Sequence, residues 1–243
     1  MNSFLLALQF LTVIPLKIKG VTEEKLARAT LYFPLVGLLI GLVLFQINLG
    51  LFILNFPSFT ISIILIVFLA GLTGGLHLDG LSDSADAFLS GRSKEEMLNI
   101  MRDPHSGVMG VLSIICIILL KIGLLYSVPA PAKATALLLM CVLSRWSAVL
   151  AMFAFPYARQ EGKAGVFIRG MTLKIFLISL ISAFIFAFII WQLKGLIVLV
   201  IVSGCAYLAA RFTNRRIGGI TGDTLGATIE LTEIVTLLTF CIL

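Results

Sequence analysis

Charged side chains are scarce in this sequence. Only 12% of its 243 residues are Asp, Glu, Lys or Arg, whereas 60% are hydrophobic. Soluble domains carry about 25% charged residues, because they must cover their surface with polar groups. The shortage excludes an ordinary soluble domain and, since several apolar runs reach the roughly 20 residues that a spanning helix needs, it predicts an all-α integral membrane protein.

Cysteine and histidine are also rare. The four cysteines lie in apolar runs without CxxC spacing, which favours small buried side chains over metal ligands. Each of the two histidines, His77 and His105, suits a base, a ligand or a structural hydrogen-bonding group, and their spacing disfavours zinc. The opening MNSFLLALQFLTVIPL lacks a basic start and a cleavage site, so we expect an interfacial helix that Pro15 ends.

Long apolar segments account for most of the chain. They lie at approximate residues 30–54, 58–75, 108–128, 132–155, 172–193, 195–212 and 225–243. Because some of them are short, the sequence predicts a polytopic bundle of about five to seven transmembrane helices. No repeat or low-complexity linker divides the sequence, which indicates one membrane-embedded domain over residues 1–243.

Basic residues are distributed unevenly between the connections of this map. Most of the 18 lie on one side, and only Lys133 and Lys194 lie on the other. Because cytoplasmic loops are enriched in Lys and Arg, we expect the N-terminus and the long loops at 76–107, 156–171 and 213–224 in the cytoplasm. The net charge of +6 requires no nucleic-acid partner, since lipid headgroups or an anionic substrate account for it.

Most of the 12 acidic residues form two groups. The first contains Asp79, Asp83, Asp86 and Asp103, and the second contains Asp223, Glu230 and Glu233. Spacings of four and three residues place the acids at 79, 83 and 86 on one face if the segment is helical, and the second group is spaced in the same way. Both faces are expected to point into the bundle from its cytoplasmic edge.

These groups predict a divalent cation. Uncompensated carboxylates inside an apolar run, such as ATIELTEIVTLL, are costly, and like charges one turn apart repel. A cation held by the seven acids would relieve both problems, and carboxylate oxygens favour Mg²⁺ or Mn²⁺ over zinc. Because Mg²⁺ often completes its shell with phosphate oxygens, we expect a substrate that contains phosphate.

Several basic residues are candidates to contact that phosphate. Arg215 and Arg216 precede the glycine-rich turn GGITGD, although lipid headgroups are an equally good partner for each. Thr221 or Asp223 is expected to cap the helix that follows. Arg145 lies within a span, so it needs either a carboxylate or a substrate diphosphate as its partner. Lys121 lies deeper and is expected to snorkel or pair.

Three blocks resemble the cobalamin synthase family, the adenosylcobinamide-GDP ribazoletransferases: TGGLHLDGLSDSADAF, MLNIMRDPHSGVMG and GGITGDTLGATIELTE. The resemblance runs from near residue 5 to about residue 235. It implies an enzyme of the prokaryotic inner membrane that is Mg²⁺-dependent. A ribose hydroxyl of α-ribazole, or of its 5′-phosphate, attacks the cobinamide-side phosphorus of adenosylcobinamide-GDP, and GMP leaves.

The resemblance also assigns residues. The aspartates at 79, 83, 86, 103 and 223, with Glu230 and Glu233, match the family's acids and are the expected metal ligands. Asp79 is the first to mutate, and Asp86 or Asp223 is the expected base. His105 stands where the family often has arginine, at an expected phosphate contact. Ser82 stands where alanine is usual and Ala87 where glycine is usual.

Two other functions are compatible with intramembrane acids. An ion or metabolite transporter would spread its acids near the midplane and carry inverted repeats, and neither feature is present in the sequence. A non-catalytic scaffold gives no reason for two aligned acidic faces. The oligomeric state stays open, a homo-oligomer included.

Overall fold

The computed structural model describes residues 2–243 and, at Lys163, the backbone alone. Its regular structure is helical, as the composition predicts. The helices are α1 (Asn2–Leu11), α2 (Glu23–Ala29), α3 (Phe33–Ile53), α4 (Ser58–Leu72), α5 (Leu76–Leu89), α6 (Lys94–Ile100), α7 (Val108–Ser127), α8 (Lys133–Ala154), α9 (Lys163–Arg169), α10 (Leu173–Ile217) and α11 (Gly222–Ile242). Single 3₁₀ turns, Thr30–Tyr32 and Ala130–Ala132, lead into α3 and α8.

Helix α8 forms the centre of the bundle. Most of its residues are buried, because α3, α10 and α11 pack around it. The outward faces of α3, α7 and α10 are apolar and open; Leu119 and Val200, for example, are 63% and 71% exposed. Apolar surface of this extent is unfavourable in water and typical of a lipid-facing surface. The chain is a multi-pass membrane protein.

The number of spans falls in the predicted range. In the part of the chain that the structure describes, five helical segments are long and apolar enough to cross a membrane, and they contain α3, α7, α8, α10 and α11. The apolar helix α4 meets α5 at a bend of 88°. Because α5 carries three aspartates, we place it at the edge of the membrane layer and outside the spans.

Helix α10 is a hairpin. Its backbone leaves helical geometry at Trp191 and Gln192, where Gln192 has a φ of 48°. Trp146 of α8 contacts both arms: its ring centroid lies 5.4 Å from that of Phe176, and its Nε1 donates to Ser203 Oγ at 3.0 Å. In a straight helix those two partners would lie about 40 Å apart. The reversal agrees with the two apolar segments predicted on either side of residue 194.

The N-terminal helix is present, but it ends at Leu11 and not at Pro15. Thr12 Oγ1 donates to the carbonyl of Leu8 at 2.6 Å, and the Val13 N–H donates to the carbonyl of Leu72 at 2.9 Å. The chain therefore leaves the helix early because α4 offers a hydrogen-bond partner, and Pro15 then keeps the preceding residue extended.

Candidate active site

Helices α5 and α11 cross in close contact. A Cβ added to Gly226 of α11 would lie 3.2 Å from the Cα of His77, so the two backbones touch at this level. Both acidic groups predicted from the sequence are carried by these helices, except for Asp103 in the loop after α6, and the segment 76–89 is helical as its spacing predicts. The crossing therefore decides which acids meet.

Four aspartates form what we call the acid cluster: Asp79, Asp83 and Asp86 of α5, and Asp223 in the first turn of α11. Partial burial raises the pKa of the Asp83 carboxyl to about 6, and the negative charges of the other three act in the same direction. The positive charge of Arg159 opposes them. The acid cluster thus concentrates negative charge that Arg159 neutralises only in part.

Arg159 is a functional candidate that the sequence interpretation missed. Its Nη2 donates to Asp223 Oδ2 at 2.8 Å, and its Nε is buried with no hydrogen-bond partner in the described residues. The loop after α8 brings it there, because the Ala158 N–H donates to the Ile220 carbonyl at 2.9 Å. Nothing in the spacing distinguished this arginine from the other basic residues of the cytoplasmic loops.

The glycine-rich turn before α11 is engaged with the same loop. The Ile220 N–H donates to the Pro156 carbonyl at 2.9 Å, and the Thr221 N–H donates to Thr224 Oγ1 at 2.9 Å. A Cβ on Gly219 would lie 2.5 Å from the Pro156 carbonyl oxygen, so only glycine allows this approach. Thr221, one of the two predicted caps, begins the helix by accepting from the Thr224 N–H.

Asp86 has a local structural role. Its carboxylate accepts from the N–H groups of Gly107 at 2.7 Å and Gly110 at 2.8 Å, at the start of α7. These are N–H groups that a helix cannot satisfy internally, and the helix dipole favours a negative charge at that position. Asp86 therefore joins α5 to α7 whether or not it also contacts a metal.

Glu230 and Glu233 belong to a second, buried group. Lys121 of α7 donates to both carboxylates, at 2.5 Å to Glu230 Oε2, and Arg145 of α8 lies 2.5 Å from Glu233 Oε1. All four side chains are at most 5% exposed. Two cations thus neutralise two anions without a metal. Arg145 has the carboxylate partner that the sequence left as one of two possibilities, and its contact with phosphate stays a prediction.

The other predicted residues lie outside both groups. Asp103 and His105 interact in the loop before α7, where His105 Nδ1 is 2.7 Å from Asp103 Oδ1 and the side chains are 89% and 56% exposed for His105 and Asp103 respectively. Arg216 donates to the carbonyl of Phe88 at 3.1 Å, at the end of α5. Arg215 is exposed beside it. Their metal and phosphate roles stay predictions.

A cavity of about 270 Å³ opens beside the acid cluster. Asp79, Arg159 and Asp223 line it, together with His77, which is 3% exposed. Two members of the acid cluster and the paired arginine therefore face one space that a small molecule can enter.

The acid cluster fits Mg²⁺ by its chemistry. Among residues 2–243 the carboxylates of Asp79 and Asp83 make no ion pair, and carboxylate oxygens are the ligands that a hard cation prefers. No three acids, histidines or cysteines of that range already converge on one point. Mg²⁺ does not require three converging side chains, because it is commonly held by one or two carboxylates and completed by water and phosphate.

The fold and the site define a multi-pass helical membrane protein with a carboxylate-rich cleft at one edge of its bundle. Residues 3–241 match the family described as cobalamin-5-phosphate synthase, and the chain belongs to this family. It is accordingly a transferase of cobalamin biosynthesis, and nothing in these matches favours a transporter.

Individual relatives match over nearly their full lengths. An adenosylcobinamide-GDP ribazoletransferase of Acinetobacter baumannii (strain ACICU) is 38% identical over 250 residues, covering 100% of this chain and 98% of that protein. Proteins of the same name from Acetivibrio thermocellus and Desulforamulus reducens are 38% and 36% identical, covering 99% and 96% of this chain and 97% and 93% of theirs. No solved structure matches the chain.

Proposed function

We propose that this protein transfers the adenosylcobinamide-phosphate group of adenosylcobinamide-GDP to α-ribazole or its 5′-phosphate and releases GMP. The observation that carries the proposal is the cavity lined by Asp79, Asp223 and Arg159 in a chain of the cobalamin-5-phosphate synthase family. A diphosphate requires positive charge and metal-binding oxygens in one place, and this cavity offers an arginine and two carboxylates.

Mg²⁺ is the proposed cofactor, with Mn²⁺ as a substitute. Asp79 and Asp83, which make no ion pair in the described residues, would hold it, and the ion would neutralise the diphosphate and the leaving GMP. The acid cluster supports this proposal, because partial burial and the three neighbouring carboxylates raise the pKa of Asp83, and Arg159 offsets them only in part.

The residues of the chain are proposed to position and deprotonate the acceptor. In the reaction a ribose hydroxyl oxygen bonds to the cobinamide-side phosphorus, the bond from that phosphorus to the GMP oxygen breaks, and the hydroxyl proton passes to a carboxylate. Asp223 suits this role better than Asp86, because it lines the cavity whereas both oxygens of Asp86 accept backbone N–H groups. Arg159 is proposed to contact phosphate through its unpartnered Nε.

The test follows GMP release from adenosylcobinamide-GDP and α-ribazole by the purified protein in lipid, with Mg²⁺, with Mn²⁺ and with EDTA. We expect turnover with either metal and none with EDTA. Asp79→Asn should lower kcat on the order of a hundredfold, as does loss of one essential electrostatic group in other enzymes. Glu95→Gln is the control, because Glu95 is exposed on α6, makes no ion pair in the described residues and is not one of the expected metal ligands. Metal-independent turnover, or an active Asp79→Asn variant, would contradict the metal assignment.

A parallel pair of variants tests Arg159. Arg159→Lys keeps the charge but loses the planar guanidinium, so we expect the KM for adenosylcobinamide-GDP to rise and kcat to fall. Arg211→Lys is the matched control, since Arg211 is exposed on α10 and is not one of the candidate phosphate contacts. Equal effects of the two substitutions would remove Arg159 from the site.

A further inference from the structure

The cavity beside the acid cluster has a charged side, formed by Asp79, Arg159 and Asp223, and a second wall of different character. Apart from its charged residues and the polar groups of His77 and Tyr157, the cavity is lined by glycines and apolar side chains, most of them from α1, α3, α8, α9 and α11. Ala148 and Met152 of α8 are 2% and 4% exposed, so this wall lies inside the bundle and not on its lipid-facing surface.

Three aromatic rings form the core of this wall: Phe10 of α1, Phe33 of α3 and Phe167 of α9. The ring centroid of Phe10 lies 4.6 Å from that of Phe167 and 6.0 Å from that of Phe33. Phe33 and Phe167 are 1% and 3% exposed, whereas Phe10 is half-buried. Aromatic faces at this spacing offer stacking and edge contacts to a further flat ring.

This wall discriminates among the chemical parts of the proposed substrates. A purine such as guanine carries donors and acceptors along its edge, and burying them against apolar side chains without partners is unfavourable. A corrin macrocycle with its amide side chains is too large for a cavity of about 270 Å³. The dimethylbenzimidazole base of ribazole is flat and carries a single ring-nitrogen acceptor, so among these parts it best suits both the size and the chemistry of the wall.

We propose that the cavity is the acceptor subsite: the base of ribazole lies against Phe10 and Phe167, and its ribose points to Asp79 and Asp223. This inference rests on the proposed function and adds to it the location of the acceptor and the residues that select its base. The donor diphosphate then reaches the acid cluster from the open side of the cavity.

The experiment combines a substitution that reduces the volume of the cavity with two acceptors whose bases differ in size. Ala148→Leu adds bulk to the apolar wall, and turnover is measured with the ribosides of dimethylbenzimidazole and of unsubstituted benzimidazole. One methylene of misfit in an apolar pocket changes discrimination by about tenfold or more. We therefore expect the KM for the dimethylated acceptor to rise about tenfold relative to that for the smaller one, and the KM for adenosylcobinamide-GDP to stay unchanged.

Two further variants complete the design. Ala154→Leu makes the same change at an exposed position near the end of α8 and should leave both constants unchanged. Phe10→Leu, on a half-buried residue, is used if Ala148→Leu does not fold, and it should raise the KM for both acceptors. An unchanged acceptor KM in the folded variants, or a raised donor KM instead, would overturn the assignment. Absence of wild-type turnover would instead refute the proposed function, so the two failures are distinguishable.

Discussion

Gly80 of α5 lies directly against the backbone of Asp223 in α11: a Cβ at Gly80 would be 2.7 Å from the Asp223 carbonyl oxygen. The two halves of the acid cluster are therefore held together at a position where no side chain intervenes. Because Gly80 has no side chain, the carboxylates of α5 can lie close to that of Asp223 in α11.

Gly80→Ala should consequently impair activity more than a surface change would. The added methyl forces α5 away from α11, which separates Asp79 from Asp223, and overpacking of this kind costs about 1–3 kcal/mol. We expect turnover to fall by about tenfold or more and the unfolding temperature to drop, measured by GMP release and thermal unfolding in detergent. Gly71→Ala in α4 is the control, because a Cβ there meets nothing within 4 Å. Equal behaviour of the two variants would show that the crossing tolerates a side chain.

The buried group around Lys121 predicts a compensating double variant. Lys121→Met leaves Glu230 without its cation in a site that is about 5% exposed, and breaking a buried pair in this way costs about 3–5 kcal/mol. Lys121→Met combined with Glu230→Gln removes both charges, so it should recover much of the lost stability in thermal unfolding. Lys174→Met, at an exposed position, should have little effect. No recovery in the double variant would mean that the pair does not account for the stability of this region.

The contacts of Asp86 predict a loss of stability that does not depend on metal. Asp86→Asn replaces one of the two acceptor oxygens and removes the charge at the start of α7, which should cost about 1–2 kcal/mol, as for other helix caps. The measurement is the unfolding temperature in EDTA. Asp79→Asn is the comparison and should not lower it, because Asp79 is exposed. An unchanged unfolding temperature for Asp86→Asn would indicate that the bonds to Gly107 and Gly110 are not important for folding.

The hairpin in α10 predicts the sidedness of three positions. In a variant without native cysteines, single cysteines at Lys174 and Arg215 should react with a membrane-impermeant maleimide from the same face of the membrane, and one at Lys194 should react from the opposite face. The positive-inside distribution further predicts that the face shared by positions 174 and 215 is cytoplasmic. Intact cells and inverted vesicles provide the two orientations. Labelling of all three positions from one face would contradict the hairpin.

Local spacing determined much of what the sequence revealed. Apolar runs predict the spanning helices and the break inside α10, because burial in lipid depends on residues that are close together in the chain. The spacing of residues 79, 83 and 86 predicts one helical face for the same reason, and the resemblance in these blocks indicates the family before any fold is known.

Only the tertiary structure decided which charges meet. Lys121 and Glu230 are 109 positions apart, and Arg159 and Asp223 are 64 apart, so no local pattern pairs them. The sequence interpretation placed Glu230 and Glu233 among the metal ligands, and only the fold shows that Lys121 and Arg145 lie beside them. Arg159 was not selected as a candidate, because the sequence does not distinguish a basic residue in an exposed loop from one that faces the active site. Helix formation depends on neighbours in sequence, whereas charge neutralisation depends on neighbours in space.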